Sequence, residues 1–178
     1  MRNISIRKYS TLKNDITHNA LLSSLKPKNL FAGKQSNIDA LPYLDVVYWY
    51  DHIKKINSFI DVHDLFIFIF GIDSEEFWNE KVTSFYEAQN FILEDFKRRQ
   101  ETEAKLLSAG VQNNNWAAAG GESLIPFSKV TPLDDIAQRY GGYPFDYGRK
   151  AYSEIIFLLT MITKKNKVQR AYEKIVNS

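Results

Sequence analysis

The hydrophobic positions of this chain recur mostly at intervals of three and four residues, which is the spacing of one face of a helix. The clearest pattern predicts a long central helix over residues 74–109, with Ser74 as its N-cap and Gly110 as its stop. Its apolar stripe consists of Trp78, Val82, Phe85, Ile92, Phe96 and Leu107. Its polar side carries three acid–base pairs four residues apart, Glu94–Arg98, Asp95–Arg99 and Glu101–Lys105, which favour an exposed helix.

Two further segments precede this helix. Pro42 is expected to open a helix through YLDVVYWYDHIKKI. Residues 59–72, FIDVHDLFIFIFGI, alternate Phe with Ile in a way that also suits a buried strand, but Asp61 as an N-cap and Gly71 as a stop favour a helix.

The second half continues the helical pattern. Thr131-Pro132 predicts the start of a short helix, LDDIAQRY, which Gly141-Gly142 ends. YPFDYGRK is typical of a turn rich in aromatic residues, and YSEIIFLLTMI from Ala151 onwards predicts a final helix that runs into a basic amphipathic tail. The fold class is therefore mainly α.

The organisation predicted along the chain is an extended arm followed by one helical domain. Residues 1–35 form the arm, since KPKNLFAGKQSN leaves little to bury apart from the pair Leu30-Phe31, which is a candidate hydrophobic anchor. Residues 36–178 form the domain, with a long loop over 110–131.

Charge is distributed unevenly along the chain. Residues 1–34 carry seven basic side chains against one acidic, and residues 164–178 carry five against one, whereas the part between them is acidic. The termini are either solvated tails or basic segments that bind the acidic bodies of neighbouring copies or, without sequence preference, nucleic acid. The candidate contacts in the arm are Arg2, Arg7, Lys8 and Lys13.

Candidate chemistry is sparse. With no cysteine, thiol catalysis and cysteine-based zinc sites are excluded. His52 and His63 stand beside Asp51 and Asp64, yet no spacing matches a metal-ligand motif, and AGGESL lacks the residues of a phosphate-binding loop or nucleophile elbow. We therefore expect no enzymatic activity, no cofactor and no metal.

Two other functional classes can be weighed from the pattern. The longest apolar runs have eight residues, against about twenty needed to cross a bilayer, so no membrane association is expected. Residues 132–162 have the order of a helix-turn-helix, but the second helix is apolar and lacks side chains suited to base edges, which favours an ordinary helical hairpin.

The connection NNNWAAAGGESLIPFSKVTP places Trp116 in a stretch of small and polar residues. Such a stretch buries little apolar surface. The loop would therefore be ordered mainly by the contacts that Trp116 makes together with Leu124, Ile125 and Phe127. Either Trp116 folds back on its own helices, or the loop is the surface that a partner binds.

Residues 113–160 resemble small helical proteins of the structural modules of tailed bacteriophages. The shared features are a long charged helix, the tryptophan followed by Ala-Gly-Gly, a Leu…Phe pair, the stretch LDDIA-x-x-YGG-x-P and a final amphipathic helix. The resemblance implies a structural protein of the virion, assembled in the host cytoplasm, that forms a ring, connector or tail component with other copies and other phage proteins. The alternatives are a tail assembly chaperone absent from the mature virion, or a nucleic-acid-binding regulator.

Overall fold

In the computed structural model of the protein, the described residues are 4–12, 22–53, 58–107 and 120–177. They are mainly helical, as predicted, and among them β-structure is limited to isolated bridges. The α-helices in chain order are α1 (Ile6–Ser10), α2 (Tyr43–His52), α3 (Phe59–Phe70), α4 (Ser74–Asn79), α5 (Val82–Leu107), α6 (Thr131–Tyr140), α7 (Pro144–Gly148) and α8 (Tyr152–Val176), with 3₁₀ helices at Ile38–Ala40 and Gly121–Phe127.

The chain divides into two compact units. The first unit comprises Met1–Ile38 and Tyr48–Arg99, and the second comprises Asp39–Val47 and Gln100–Ser178. The boundaries fall inside α2 and α5, so each of these helices contributes residues to both units. This division differs from the predicted arm and single domain, because the described part of residues 1–35 belongs to the first unit.

The predicted long helix is two helices, α4 and α5. Between them Glu80 is extended, with φ −69° and ψ 159°. The amide of Ile6 donates to the Glu80 carbonyl at 2.8 Å, and the amide of Val82 donates to the Ile4 carbonyl at 2.9 Å. The N-terminal segment thus takes backbone groups that an unbroken helix would use internally. Residues 108 and 109, the expected end of this helix, lie outside the described residues.

The helix caps correct two assignments made from the sequence. The segment 59–72 is helical and ends at Gly71 with φ 60°, as predicted, but its N-cap is Ser58 and not Asp61, whose amide donates to the Ser58 hydroxyl. Helix α4 is capped by Asp73 and not by Ser74. Asp73 and Glu76 form a reciprocal capping box with both hydrogen bonds at 2.8 Å.

Phe31 lies at the centre of an aromatic core in the first unit. It is 0% exposed, and its ring centroid lies 4.7 Å from that of Phe66, 5.6 Å from Phe70 and 5.9 Å from Phe77. A paired turn presents it, because Phe31 and Lys34 exchange both backbone hydrogen bonds at 2.9 Å. The segment expected to be a linker is therefore part of the core.

Lys34 fixes the same turn from its polar side. Its ammonium group donates to the carbonyl of Gly71 and to the Glu76 carboxylate, both at 2.9 Å. One lysine therefore satisfies the C-terminal end of α3 and holds the N-terminal end of α4.

The second unit is organised around the first half of α8. The amide of Tyr152 donates to the Leu41 carbonyl at 2.8 Å, and the amide of Tyr43 donates to the Lys150 carbonyl at 3.0 Å. A Cβ atom on Gly148 would lie 2.3 Å from the Leu44 side chain, so only glycine permits this approach. The side chains of α8 that this packing buries are Tyr152, Ile155, Leu159 and Ile162.

Helix α8 is also held through two tyrosines. The rings of Tyr43 and Tyr152 stack with centroids 6.2 Å apart, and the Tyr152 hydroxyl donates to the Glu103 carboxylate. Burial, reinforced by the charge of Glu103, raises the pKa of Tyr43 to about 12. Tyr43 therefore stays a neutral phenol over the whole physiological range.

Between α6 and α8, the segment YPFDYGRK was expected to be a turn and instead contains the short helix α7. Helix α6 begins and ends as predicted from Pro132 and Gly141, although Val130, and not Thr131, occupies the N-cap position.

Replacing Phe31 with Ala should lower the free energy of unfolding by about 3–5 kcal/mol, because it removes a fully buried ring and leaves a cavity. Ile60→Ala, at a site in the same unit that is 75% exposed, is the control and should change it by no more than about 0.5 kcal/mol. Denaturant unfolding followed by circular dichroism measures both. Equally small effects at the two positions would show that Phe31 is not a core residue.

Candidate interaction surface

Exposed apolar side chains concentrate in the second unit. Among the described residues, sixteen large apolar side chains are exposed, and twelve of them belong to this unit. Scattered exposed hydrophobic residues are normal on any protein, but a strong bias toward one part of the surface is typical of binding regions. We therefore place the candidate functional site in the second unit.

The 3₁₀ helix Gly121–Phe127 displays the apolar residues predicted from the sequence. Leu124 is 43% exposed, Ile125 is 67% exposed and Phe127 is 60% exposed. Residues three apart eclipse one another in a 3₁₀ helix, so Leu124 and Phe127 lie on the same side and form a short ridge.

Hydrogen bonds hold this segment in shape at both ends. The hydroxyl and amide of Ser123 both donate to the Gly120 carbonyl, at 2.8 and 3.0 Å. At the other end the amide of Val130 and the hydroxyl of Thr131 donate to the Phe127 carbonyl, at 2.8 and 3.0 Å. The apolar ridge is thus tied directly to the start of α6, so its shape is fixed before any contact is made.

The C-terminal half of α8 carries a second set of exposed apolar residues, which the sequence pattern predicts only as part of an amphipathic tail. All of residues 164–177 are exposed. The large apolar side chains are Phe157 at 67%, Val168 at 70%, Tyr172 at 60%, Ile175 at 74% and Val176 at 62% exposure. We call Phe157, Val168, Tyr172 and Ile175 the tail stripe.

Exposed aromatic residues around α7 were also missed. Tyr143 is 61% exposed and Phe145 is 45% exposed, with ring centroids 5.5 Å apart, and Tyr140 is 44% exposed. The signal in the sequence is the density of aromatic residues in YPFDYGRK, a pattern that by itself predicts only a turn.

The remaining predicted contact residues are not gathered at one place. Phe31 has no exposed surface for a partner, so the structure assigns it to the core, and Leu30 is half-buried beside it. Arg7 donates to Glu75 at 2.8 Å within the first unit, and this hydrogen bond holds the pKa of the Glu75 carboxyl below its usual value. Lys8 is exposed. Three further predicted residues, Arg2, Lys13 and Trp116, lie outside the described residues.

One side-chain array resembles the order of a nucleophilic triad. His63 Nδ1 lies 2.9 Å from Asp64 Oδ1, and His63 Nε2 lies 2.9 Å from Ser74 Oγ. The imidazole stacks near Trp78 with centroids 5.8 Å apart. If Nδ1 carries the proton it donates to Asp64, and Nε2 then accepts from the Ser74 hydroxyl.

The surroundings of this array do not suit acyl transfer. A nucleophilic serine needs donors directed at the developing oxyanion. Ser74 is instead flanked by the carboxylates Asp73, Glu75 and Glu76, which would repel that charge. What the geometry does support is a link between α3 and the first turn of α4.

His52 has a local role. Its Nδ1 lies 2.8 Å from the Tyr48 carbonyl, and its ring stacks on Tyr48 with centroids 3.7 Å apart. Across the described ranges, no group of three or more His, Cys, Asp or Glu side chains is arranged to hold a metal ion.

A polar groove of about 320 Å³ lies between α6 and α8 and is lined by Asp135, Gln138, Arg139, Ile162 and Asn166. The Arg139 guanidinium spans it and donates to the Asn166 side chain at 3.0 Å. Partial burial, followed by the nearby charge of Asp134, raises the pKa of the Asp135 carboxyl. The groove contains one carboxylate, one guanidinium and two amides, so its chemistry suits a small polar group and includes no nucleophile.

No family model matches the chain, and no curated protein or solved structure is detectably similar to it. None of the helices in the described residues combines the length and the apolar character needed to span a bilayer. Because their large apolar side chains are exposed, the two surface features that point toward a function are the ridge at Leu124–Phe127 and the tail stripe.

Asp135→Asn should raise the melting temperature at pH 7, since burial disfavours the charged carboxylate more than a neutral amide. A folded-state pKa above the ordinary value of 3.8 means that the native state binds the proton more tightly than the unfolded chain does. The stability that Asp135 contributes when protonated is therefore lost as pH rises through the folded-state pKa. Thermal unfolding over a pH series should show the gain of the variant shrinking as pH falls through the folded-state pKa and vanishing below 3.8, and a gain independent of pH would contradict this account.

Proposed function

We propose that this chain is a structural protein of a tailed-phage particle that binds neighbouring subunits through the ridge at Leu124–Phe127. The observation that carries the proposal is the exposure of Leu124, Ile125 and Phe127 on a short segment fixed by hydrogen bonds at both ends. The phage setting rests on the resemblance of residues 113–160 described above.

The size of this surface indicates how it would act. Full burial of a large apolar side chain contributes about 1.5–3 kcal/mol, and each of these three is already partly covered. The ridge would then supply roughly 3–4 kcal/mol, against about 8 kcal/mol for a micromolar complex. Such a contact is weak alone and becomes strong when many copies repeat it, as they do in a ring or connector.

The basic arm fits the same proposal. Lys8 is exposed, and Arg7 forms an exposed ion pair with Glu75. A solvent-exposed ion pair is screened by water and contributes little to stability, so little is lost when Arg7 exchanges Glu75 for a carboxylate on a neighbour. Both side chains remain candidates for contacts with an acidic subunit.

Protein binding is favoured over a nucleic-acid-binding regulator by the first turn of α8. A recognition helix reads bases with its N-terminal residues. Here the Ser153 hydroxyl donates to the Asp39 carbonyl at 3.0 Å, and Glu154 accepts from Lys150 at 2.8 Å. A carboxylate at this position would meet the phosphate backbone unfavourably.

The test is incorporation into particles that lack the wild-type protein, measured by quantitative mass spectrometry of purified virions. The wild-type chain should occur at a fixed copy number, and the double variant Ile125→Ser/Phe127→Ser should be incorporated at least about tenfold less, because each site loses more than about 1.4 kcal/mol of binding. Ile60→Ser, which removes an equally exposed apolar side chain from α3, is the matched control and should be incorporated normally.

Two results would overturn the proposal. If the chain is missing from purified particles although assembly requires it, it is a tail assembly chaperone and not a structural component. If the double variant enters particles at the wild-type copy number, the ridge is not the binding surface.

A further inference from the structure

Helix α8 carries apolar side chains on two opposite faces. At about 100° per residue, its buried side chains lie within about 80° of one another, and the four residues of the tail stripe lie within about 60° of one another on the opposite side. The tail stripe therefore faces away from the side chains that hold α8 in the second unit. It runs from Phe157 to Ile175, which at 1.5 Å per residue is about 27 Å.

Positive charge lies at both edges of the tail stripe. On the same angular scale, Lys164 lies about 20° beyond one edge and Lys165 about 20° beyond the other. Both lysines are exposed, as are all of residues 164–177. The other basic side chains of this half of α8 lie farther round the helix: Lys167, Arg170 and Lys174.

The carboxylates of α8 do not offset this charge at the tail stripe. Glu173 lies about 100° or more from every residue of the stripe and accepts from the Gln169 side chain at 2.9 Å. Glu154 belongs to the first turn of the helix, ahead of the stripe, and accepts from the Lys150 ammonium group at 2.8 Å. The tail stripe is therefore an exposed apolar face with a lysine along each side.

An anionic bilayer surface matches both of these properties. A helix that lies in the membrane interface buries its apolar face at the boundary between headgroups and acyl chains, and its basic side chains attract anionic headgroups. Lys164 and Lys165 can lay their methylene stems along apolar surface and extend their ammonium groups to the headgroups. Tyr172 suits the same boundary, because its ring is apolar and its hydroxyl needs a polar partner.

Other macromolecules match only one of the two properties or need a special arrangement. The phosphates of duplex DNA would bind the basic side chains but would leave four apolar side chains in water. A groove on another protein would have to place acidic residues at both edges of the tail stripe, whereas lipid headgroups diffuse to wherever the lysines lie. The bilayer is therefore the favoured partner.

We infer that the tail stripe binds the surface of a bilayer that contains anionic lipids, with α8 lying parallel to the membrane plane. The requirement for about twenty apolar residues applies to a helix that crosses a bilayer, whereas a helix that lies on the surface needs only one apolar face. Lipid binding by α8 goes beyond the proposed function, because it uses the tail stripe and not the ridge at Leu124–Phe127.

Co-sedimentation of the full chain with vesicles tests the binding. The chain should pellet with vesicles of phosphatidylglycerol and phosphatidylcholine. It should bind vesicles of phosphatidylcholine alone at least about tenfold more weakly, because these carry no net negative charge to attract the lysines. Added salt should weaken binding to the mixed vesicles.

Variants separate the apolar and the charged parts of the contact. Tyr172→Ser/Ile175→Ser and Lys164→Glu/Lys165→Glu should each lower the affinity for mixed vesicles at least about tenfold. Lys164→Arg/Lys165→Arg keeps both charges and should bind as the wild type does. Ile60→Ser is the control for the apolar variant, since Ile60 is 75% exposed and Ile175 is 74% exposed, and it should also bind normally.

All of the substituted side chains are exposed, so each variant should keep the wild-type fold, which circular dichroism and thermal unfolding verify.

Labels on single cysteines test which face of α8 meets the lipid. The chain has no cysteine, so Val168→Cys and Arg170→Cys each carry one environment-sensitive fluorophore. Both positions are exposed, and they lie about 160° apart around the helix. With mixed vesicles, the emission of the label at position 168 should shift to the blue, and that of the label at position 170 should stay unchanged.

Three results would overturn lipid binding by the tail stripe: the full chain fails to pellet with mixed vesicles, Tyr172→Ser/Ile175→Ser pellets as the wild type does, or the two labels respond alike. If vesicles are not bound but duplex DNA is, and the lysine variant loses that binding, the tail contacts nucleic acid instead. If vesicles are not bound but sedimentation equilibrium shows self-association that the apolar variant loses, the partner is another copy of this chain.

Discussion

The second unit depends on one constraint: helix α8 has apolar side chains on two faces, and its own chain covers only one of them. The hydrogen bond from the Tyr152 amide to the Leu41 carbonyl fixes where the helix begins, and Gly148 allows Leu44 to pack closely beside it. Once Ile155 and Ile162 are buried, Phe157 must face solvent. The tail stripe is therefore a consequence of how the first half of the helix packs.

The two units use their aromatic residues in different ways. In the first unit phenylalanines form a mutually packed core around Phe31, and Phe66 and Phe77 are fully buried there. In the second unit Tyr143, Phe145 and other rings are exposed. The high aromatic content of the chain thus has two sources, buried phenylalanines of the first unit and exposed rings of the second, although Tyr43 and Tyr152 of the second unit are also buried.

Local signals predicted most of the fold. Helix α3 was recognisable because Gly71 supplies the left-handed residue that ends it, and α6 because a proline opens it and a glycine closes it. The positions that escaped prediction depend on residues distant in sequence. No glycine or proline marks the break at Glu80, which exists because Ile4 and Ile6 pair with that backbone.

The candidate site was predictable only in part, because local signals reveal some of its residues and packing by distant parts of the chain decides the others. Leu124, Ile125 and Phe127 stood out because apolar residues are unusual in a polar connection, and their side chains are exposed. The tail stripe did not stand out, because α8 has apolar side chains on two faces. The sequence pattern does not show which of the two faces packs against the rest of the chain. Phe31 was assigned to a partner because the polar segment around it contains nothing for it to pack against. The helices that bury it come later in the sequence.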